Sequence, residues 1–187
     1  MDLYSALRLT PQSSLALVGG GGKTTALFSL ARQCVQAGAR TALVTTTTHV
    51  ADWQAAQADV HYTLETEAQL RACMQNLPAG VVMFTSPLDA QVPRRLGGVP
   101  EPVLRLLDTL RPEAGLPLLV EADGSRLKPL KAPADHEPPG PDFVEMVVVV
   151  AGLRGLAQPL SDAWVHRPER FAALAGLAEG ELVTAQA

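Results

Sequence analysis

Apolar residues along this chain switch between two periods. Leu15, Ala16, Leu17 and Val18 form a short, wholly apolar run that enters a glycine cluster, as expected of a central parallel strand covered on both faces. From Lys23 onward, Leu27, Leu30, Ala31 and Val35 recur at helical spacing until Gly38 supplies a C-cap. Residues 40–48, rich in Val and Thr, predict a second strand. Strand, loop, helix and strand make a βαβ unit with a right-handed crossover.

The alternation continues to the other end. Helical character over 51–58 and 66–76 precedes an apolar strand at 81–85. A helix over 102–110 is followed by strands at 116–120 and 143–151, and a last helix over 166–174 is closed by Gly176 and Gly180. A short helix at 5–9 is stopped by Thr10 and Pro11. Residues 87–99 are turn-rich, with Arg94, Arg95, Leu96, Gly97 and Gly98 expected to form a mobile loop near a site. The proline-dense stretch 128–141 mixes Lys, His and Glu, unlike a solvating linker, and predicts a structured loop. There is no internal repeat. The pattern predicts a three-layer α/β fold with a mostly parallel central sheet of about five or more strands flanked by helices. A length of 187 residues suits one domain spanning 1–187.

Composition narrows the function. With 47% hydrophobic and only 4% aromatic residues the core is aliphatic, and base stacking on single strands is disfavoured. A net charge of −4 without a basic stripe argues against a nucleic-acid partner. Cys34 and Cys73 lack metal or redox spacing and are expected to be small buried hydrophobes in a reducing compartment. No signal peptide and no apolar run of roughly 20 residues is present, so a cytoplasmic protein without a membrane partner is expected.

The strongest chemical signal is Gly19-Gly20-Gly21-Gly22-Lys23-Thr24-Thr25. A strand ending in glycines and followed at once by Lys-Thr opening a helix joins close backbone approach, converging N–H groups and the positive end of a helix dipole. Lys23 is expected to reach β- and γ-phosphates, and the Thr24 hydroxyl to hold magnesium. Leu17 stands where the first glycine of G-x-x-x-x-G-K-[ST] belongs, and Val18 where the signal-recognition and MinD class carries a further lysine. The apolar run 118–120 ends in Glu121-Ala122-Asp123, with Asp123 expected at magnesium and Glu121 polarising the attacking water or supporting the metal from behind.

Lys23, Glu121 and Asp123 are thus the candidate catalytic residues. Either Thr45 and Thr47 or Thr46 and Thr48 face the same crevice, with His49 at its lip, and Thr47 and His49 are taken as substrate candidates. Arg126, Lys128 and Lys131, with His136, are further candidates for an anionic substrate. His136-Glu137 lacks a second His at helical spacing, so no zinc is expected. No N/T-K-x-D motif is apparent, which favours ATP over GTP.

Taken in order, Gly-Gly-Gly-Gly-Lys-Thr-Thr, Thr-Thr-Thr-Thr-His, Val-Glu-Ala-Asp-Gly-Ser, Pro-Leu-Lys-Ala-Pro, His-Glu-Pro and His-Arg resemble the YqeC family of selenium-dependent hydroxylase accessory proteins, from about residue 14 to 180. The resemblance implies a P-loop protein serving the maturation of molybdenum hydroxylases of the xanthine dehydrogenase type, through a selenium-containing or sulfurated molybdenum cofactor. Its implied partners are such a hydroxylase or a molybdenum cofactor maturation protein. Members of the family usually continue with another strand and helix, so either a short natural variant or a C-terminal truncation is expected, and proteins of the wider class often form a homodimer across the site. The leading expectation is an ATP- or GTP-hydrolysing accessory protein. A small-molecule kinase or ATP-dependent ligase, and a non-catalytic module binding a nucleotide or pterin phosphate, are the alternatives.

Overall fold

The computed structural model describes residues 2–135, 137 and 140–186. A single turn, α1 (Leu3–Ala6), is capped by Asp2, whose carboxylate accepts the Ser5 N–H at 2.7 Å. The expected βαβ unit follows as β1 (Ser14–Gly19), α2 (Lys23–Gln36) and β2 (Thr41–Thr46). Next come β3 (Val50–Ala51), α3 (Asp52–Ala55), β4 (Val60–Thr63), α4 (Glu67–Gln75), β5 (Gly80–Thr85), β6 (Arg95–Leu96) and α5 (Glu101–Leu110). The chain then forms β7 (Leu118–Glu121), β8 (Leu130–Lys131), β9 (Met146–Val150), a 3-10 turn (Leu153–Gly155), β10 (Val165–His166) and α6 (Pro168–Ala175).

Six strands pair in the order β4-β5-β2-β7-β1-β9, every pair parallel. Alternation along each strand divides the core between the two faces. Leu15, Leu17, Val44, Met83 and Leu119 pack with Leu27, Leu30, Ala31 and Cys34 of α2 on one face. Ala16, Val18, Leu43, Val82, Phe84 and Val120 pack with Leu70 of α4 and Val103, Leu104 and Leu107 of α5 on the other. This is the expected three-layer, P-loop NTPase-like α/β arrangement. A third small cluster joins Leu130, Leu160, Val165 and Val183 and ties the proline-dense segment to the C-terminal part. At the sheet edge, Val147 and Val149 of β9 remain 48% and 75% exposed.

Several boundaries differ from the sequence expectation. β4 was not expected, because Val60-His61-Tyr62-Thr63 is polar and partly exposed at the far edge of the sheet. β2 stops at Thr46, where the Thr46 hydroxyl accepts the Thr48 N–H at 3.1 Å and turns the chain. The helix expected over 51–58 shrinks to α3, the first helix falls at Leu3–Ala6 instead of 5–9, and the last begins at Pro168 instead of 166. The segment expected to be mobile is tied down: β6 pairs antiparallel with β3, and Arg94 binds Asp52 at 3.1 Å. The proline-dense segment does contain structure, since β8 pairs in parallel with β10. Cys34 is buried, which pushes its thiol up to about 11. Among the described residues no helix is long and apolar enough to cross a membrane.

Candidate functional site

The four glycines serve two different needs. Gly19 and Gly22 sit at φ +103° and +102°, a region that side-chain-bearing residues rarely adopt. Gly20 and Gly21 instead let another segment approach. A Cβ on Gly20 would lie 2.0 Å from the Pro129 carbonyl oxygen, and the Gly21 N–H donates to that oxygen at 3.0 Å. The Gly20 N–H donates to the Val150 carbonyl at 2.7 Å. The Gly20 and Gly21 amides are therefore held by protein, while the N–H groups of Gly22, Lys23, Thr24 and Thr25 at the start of α2 find no acceptor among the described residues.

Beneath the loop, Lys23 is only 3% exposed. Its Nζ donates to the Gly19 and Gly20 carbonyls at 2.9 and 3.1 Å and pairs with Asp123 at 3.2 Å. Asp123, 4% exposed, also accepts the Gly19 N–H at 2.9 Å and the Lys131 ammonium at 2.6 Å. Lys131 continues to Glu137 at 2.9 Å, and Glu137 takes both arms of Arg167 at 2.6 and 3.2 Å. Burial works to raise the Glu137 pKa, but hydrogen bonds from Arg167 and Lys131 outweigh it and bring the carboxyl down to about 2.

Thr24 faces a different acid. Its hydroxyl donates to Glu121 Oε2 at 2.8 Å and accepts from Gln54 Nε2 at 3.0 Å. Glu121 lies between β1 and β2, in register with Leu17 and Thr46, which sets its carboxylate at the strand ends beside the loop. Burial raises its pKa, against the opposing effects of the Thr24 hydrogen bond and the Lys23 charge. Asp123 is two residues further on, past the end of β7, where the backbone has left the pleat and the side chain turns under the glycines.

A cleft of about 300 Å³ opens above these groups, lined by the loop from Gly20 to Thr25 together with Thr48, His49, Gln54, Arg95, Glu121 and Arg126. Several substrate candidates do not reach it. The Thr47 hydroxyl donates to the Ala122 carbonyl at 3.0 Å, and the residue lines a separate cavity beside α5. Lys131 is enclosed by Asp123, Glu137 and the Gly124 carbonyl. Lys128 pairs with Asp162 outside the cleft. His49 does line the lip, with its Nε2 held by Asp89 at 2.7 Å, and Arg126 lines the cleft. His136 lies outside the described residues. Gln54 was missed in the sequence, since a lone Gln in a polar helix carries no motif. Arg95 was noticed only as part of a loop. Among the described residues no group of three or more His, Cys, Asp or Glu is placed to hold a metal ion by itself.

A family model described as YqeC protein matches residues 15–169. The chain is 35% identical over 170 residues to a protein of Escherichia coli (strain K12) named "Uncharacterized protein YqeC", covering 87% of this chain and 60% of that relative. The chain therefore spans about three fifths of that relative's length. No solved structure is significantly similar.

Proposed function

The chain belongs to the YqeC protein family, and on that premise we propose that it binds and hydrolyses a nucleoside triphosphate with magnesium, as an accessory to the maturation of molybdenum- or selenium-dependent hydroxylases. The observation that carries the nucleotide reading is the run of four unengaged N–H groups at the start of α2, set over Lys23 and beside Thr24 and Glu121. Amides at a helix start favour an anion, and the macrodipole adds to that preference. Phosphate and Asp123 then compete for the Lys23 ammonium, so binding draws Lys23 away from its buried partner.

The Thr24 hydroxyl and the Glu121 carboxylate are hard oxygen donors that fit magnesium. When bound, the ion would neutralise charge on the β- and γ-oxygens. In this reading Glu121 takes the metal position first expected of Asp123, whose oxygens are engaged by Gly19, Lys23 and Lys131. Gln54 orients the Thr24 hydroxyl, and Arg95 and Arg126 flank the phosphates. ATP is favoured over GTP by the missing guanine-reading motif. The hydrolytic step and the hydroxylase role rest on the family resemblance.

Calorimetry with magnesium-ATP on the wild-type chain and on Lys23→Ala tests the reading. Binding should be lost in the variant while circular dichroism stays native, and equal affinity in both would sink it. Phosphate release measured with and without a hydroxylase partner separates the roles: slow turnover raised by the partner supports an accessory, and no turnover under any condition leaves a binding module.

A further inference from the structure

Beside the phosphate cleft lies a second polar cavity of about 520 Å³, and Arg126 lines both. Its other walls come from far along the chain: Asp135 from the proline-dense segment, Asp162 from the turn before β10, His166 from β10, and Arg167 and Arg170 from the start of α6. We propose that this cavity binds a small anionic molecule carrying a phosphate or carboxylate, held between Arg126 and His166 and adjacent to the terminal phosphate of the nucleotide. The inference goes beyond the nucleotide reading, because its contacts do not include the glycine loop.

Most charges in the walls are already matched. Arg167 is clamped on Glu137, Arg170 on Asp135 at 2.8 and 2.9 Å, and Lys128 on Asp162. These pairs join the proline-dense segment to α6 and the turn before β10, and so build the cavity. Three polar side chains remain: among the described residues the Arg126 guanidinium, the His166 imidazole and the Glu169 carboxylate have no hydrogen bond or ion pair. Arg126 and Leu127 adopt φ +52° and +63°, consecutive left-handed positions without glycine that direct Arg126 to the junction of the two cavities.

The field at His166 favours an anion. Burial lowers its pKa first, and the charges of Arg167, Lys131, Arg126 and Lys128 lower it further. The imidazole is therefore neutral near pH 7, with one ring N–H available to donate. Of the rim carboxylates, Asp162 acts on Arg126 and His166, but it and Asp135 are 82% and 90% exposed and already paired, and the cations prevail at His166. Glu169, also in the wall, precedes Arg170 on α6. A planar guanidinium can take two oxygens of one carboxylate or phosphate while the imidazole takes a third. Among the described residues the walls hold no Phe, Tyr or Trp for a base to stack on.

Proton NMR of the four histidines tests this in the full chain, with inorganic phosphate as the probe and His166→Asn identifying the His166 signal. The titration is run in Lys23→Ala, so that the phosphate loop is not the responding site. Phosphate should raise the His166 midpoint saturably, because a bound anion favours the imidazolium. Adding Arg126→Ala should raise the phosphate needed for half the effect about tenfold, as for a lost charge-assisted hydrogen bond. An unmoved midpoint, a response confined to protein with an intact Lys23, or an unchanged response in Arg126→Ala would overturn the proposal. Failure of the nucleotide reading would appear separately, as magnesium-ATP affinity indifferent to Lys23.

Discussion

Gly20 is glycine because the Pro129 carbonyl occupies the place of its side chain. Gly20→Ala should destabilise the chain by about 1–3 kcal/mol through overpacking, seen as a lower denaturant midpoint. The two acids at the strand end divide similarly. Glu121→Gln should raise the magnesium needed for nucleotide binding more than Asp123→Asn does, whereas Asp123→Asn should lower stability by leaving Lys23 buried without a carboxylate and Lys131 with Glu137 alone. Equal magnesium dependence in both variants, read by calorimetry, would return the metal to Asp123. The placement of Lys23 and Thr24 at a helix start was legible, because the glycines before them end a strand. Which acid meets the Thr24 hydroxyl was not, since alternation puts i and i+2 on one face only while the strand lasts, and β7 ends at Glu121.

Elements were legible where burial is complete. β1, β5 and β7 are continuous apolar runs because helices cover both faces of the sheet. At the edge that logic fails: β4 reads Val-His-Tyr-Thr, half exposed, with His61 bonded to Thr85 at 2.8 Å, and its sequence resembles a loop. The four threonines misled in the opposite direction, since β-propensity ran past Thr46 into a turn made by hydroxyl bonds. α5 is legible from its amphipathic stripe, and its weight rests on Leu107, which is fully buried against the sheet. Leu107→Ala should cost about 2–5 kcal/mol, measured by chemical unfolding, and a loss below 1 kcal/mol would mean that α5 is not seated on this face.

Across the whole molecule, Lys23, Asp123, Lys131, Glu137 and Arg167 form one chain of charges from the glycine loop to the start of α6. No local pattern announces it, because its members are far apart in sequence. Glu137 has a folded pKa of about 2 against an ordinary 4.5, so its contribution is fully present above pH 4.5 and is lost as pH falls toward 2. Glu137→Gln should lower the melting temperature at pH 7 and flatten its fall between pH 4.5 and 2; a parallel curve would show that the pairing is energetically idle. The open margin of the sheet sets a different limit. Met-Val-Val-Val-Val carries neither lysine nor proline to discourage a neighbour, and Val147 and Val149 face outward. In concentrated preparations the colloidal ceiling should lie below the thermal one, with light scattering growing while circular dichroism remains native, and a single lysine in place of Val149 should raise it.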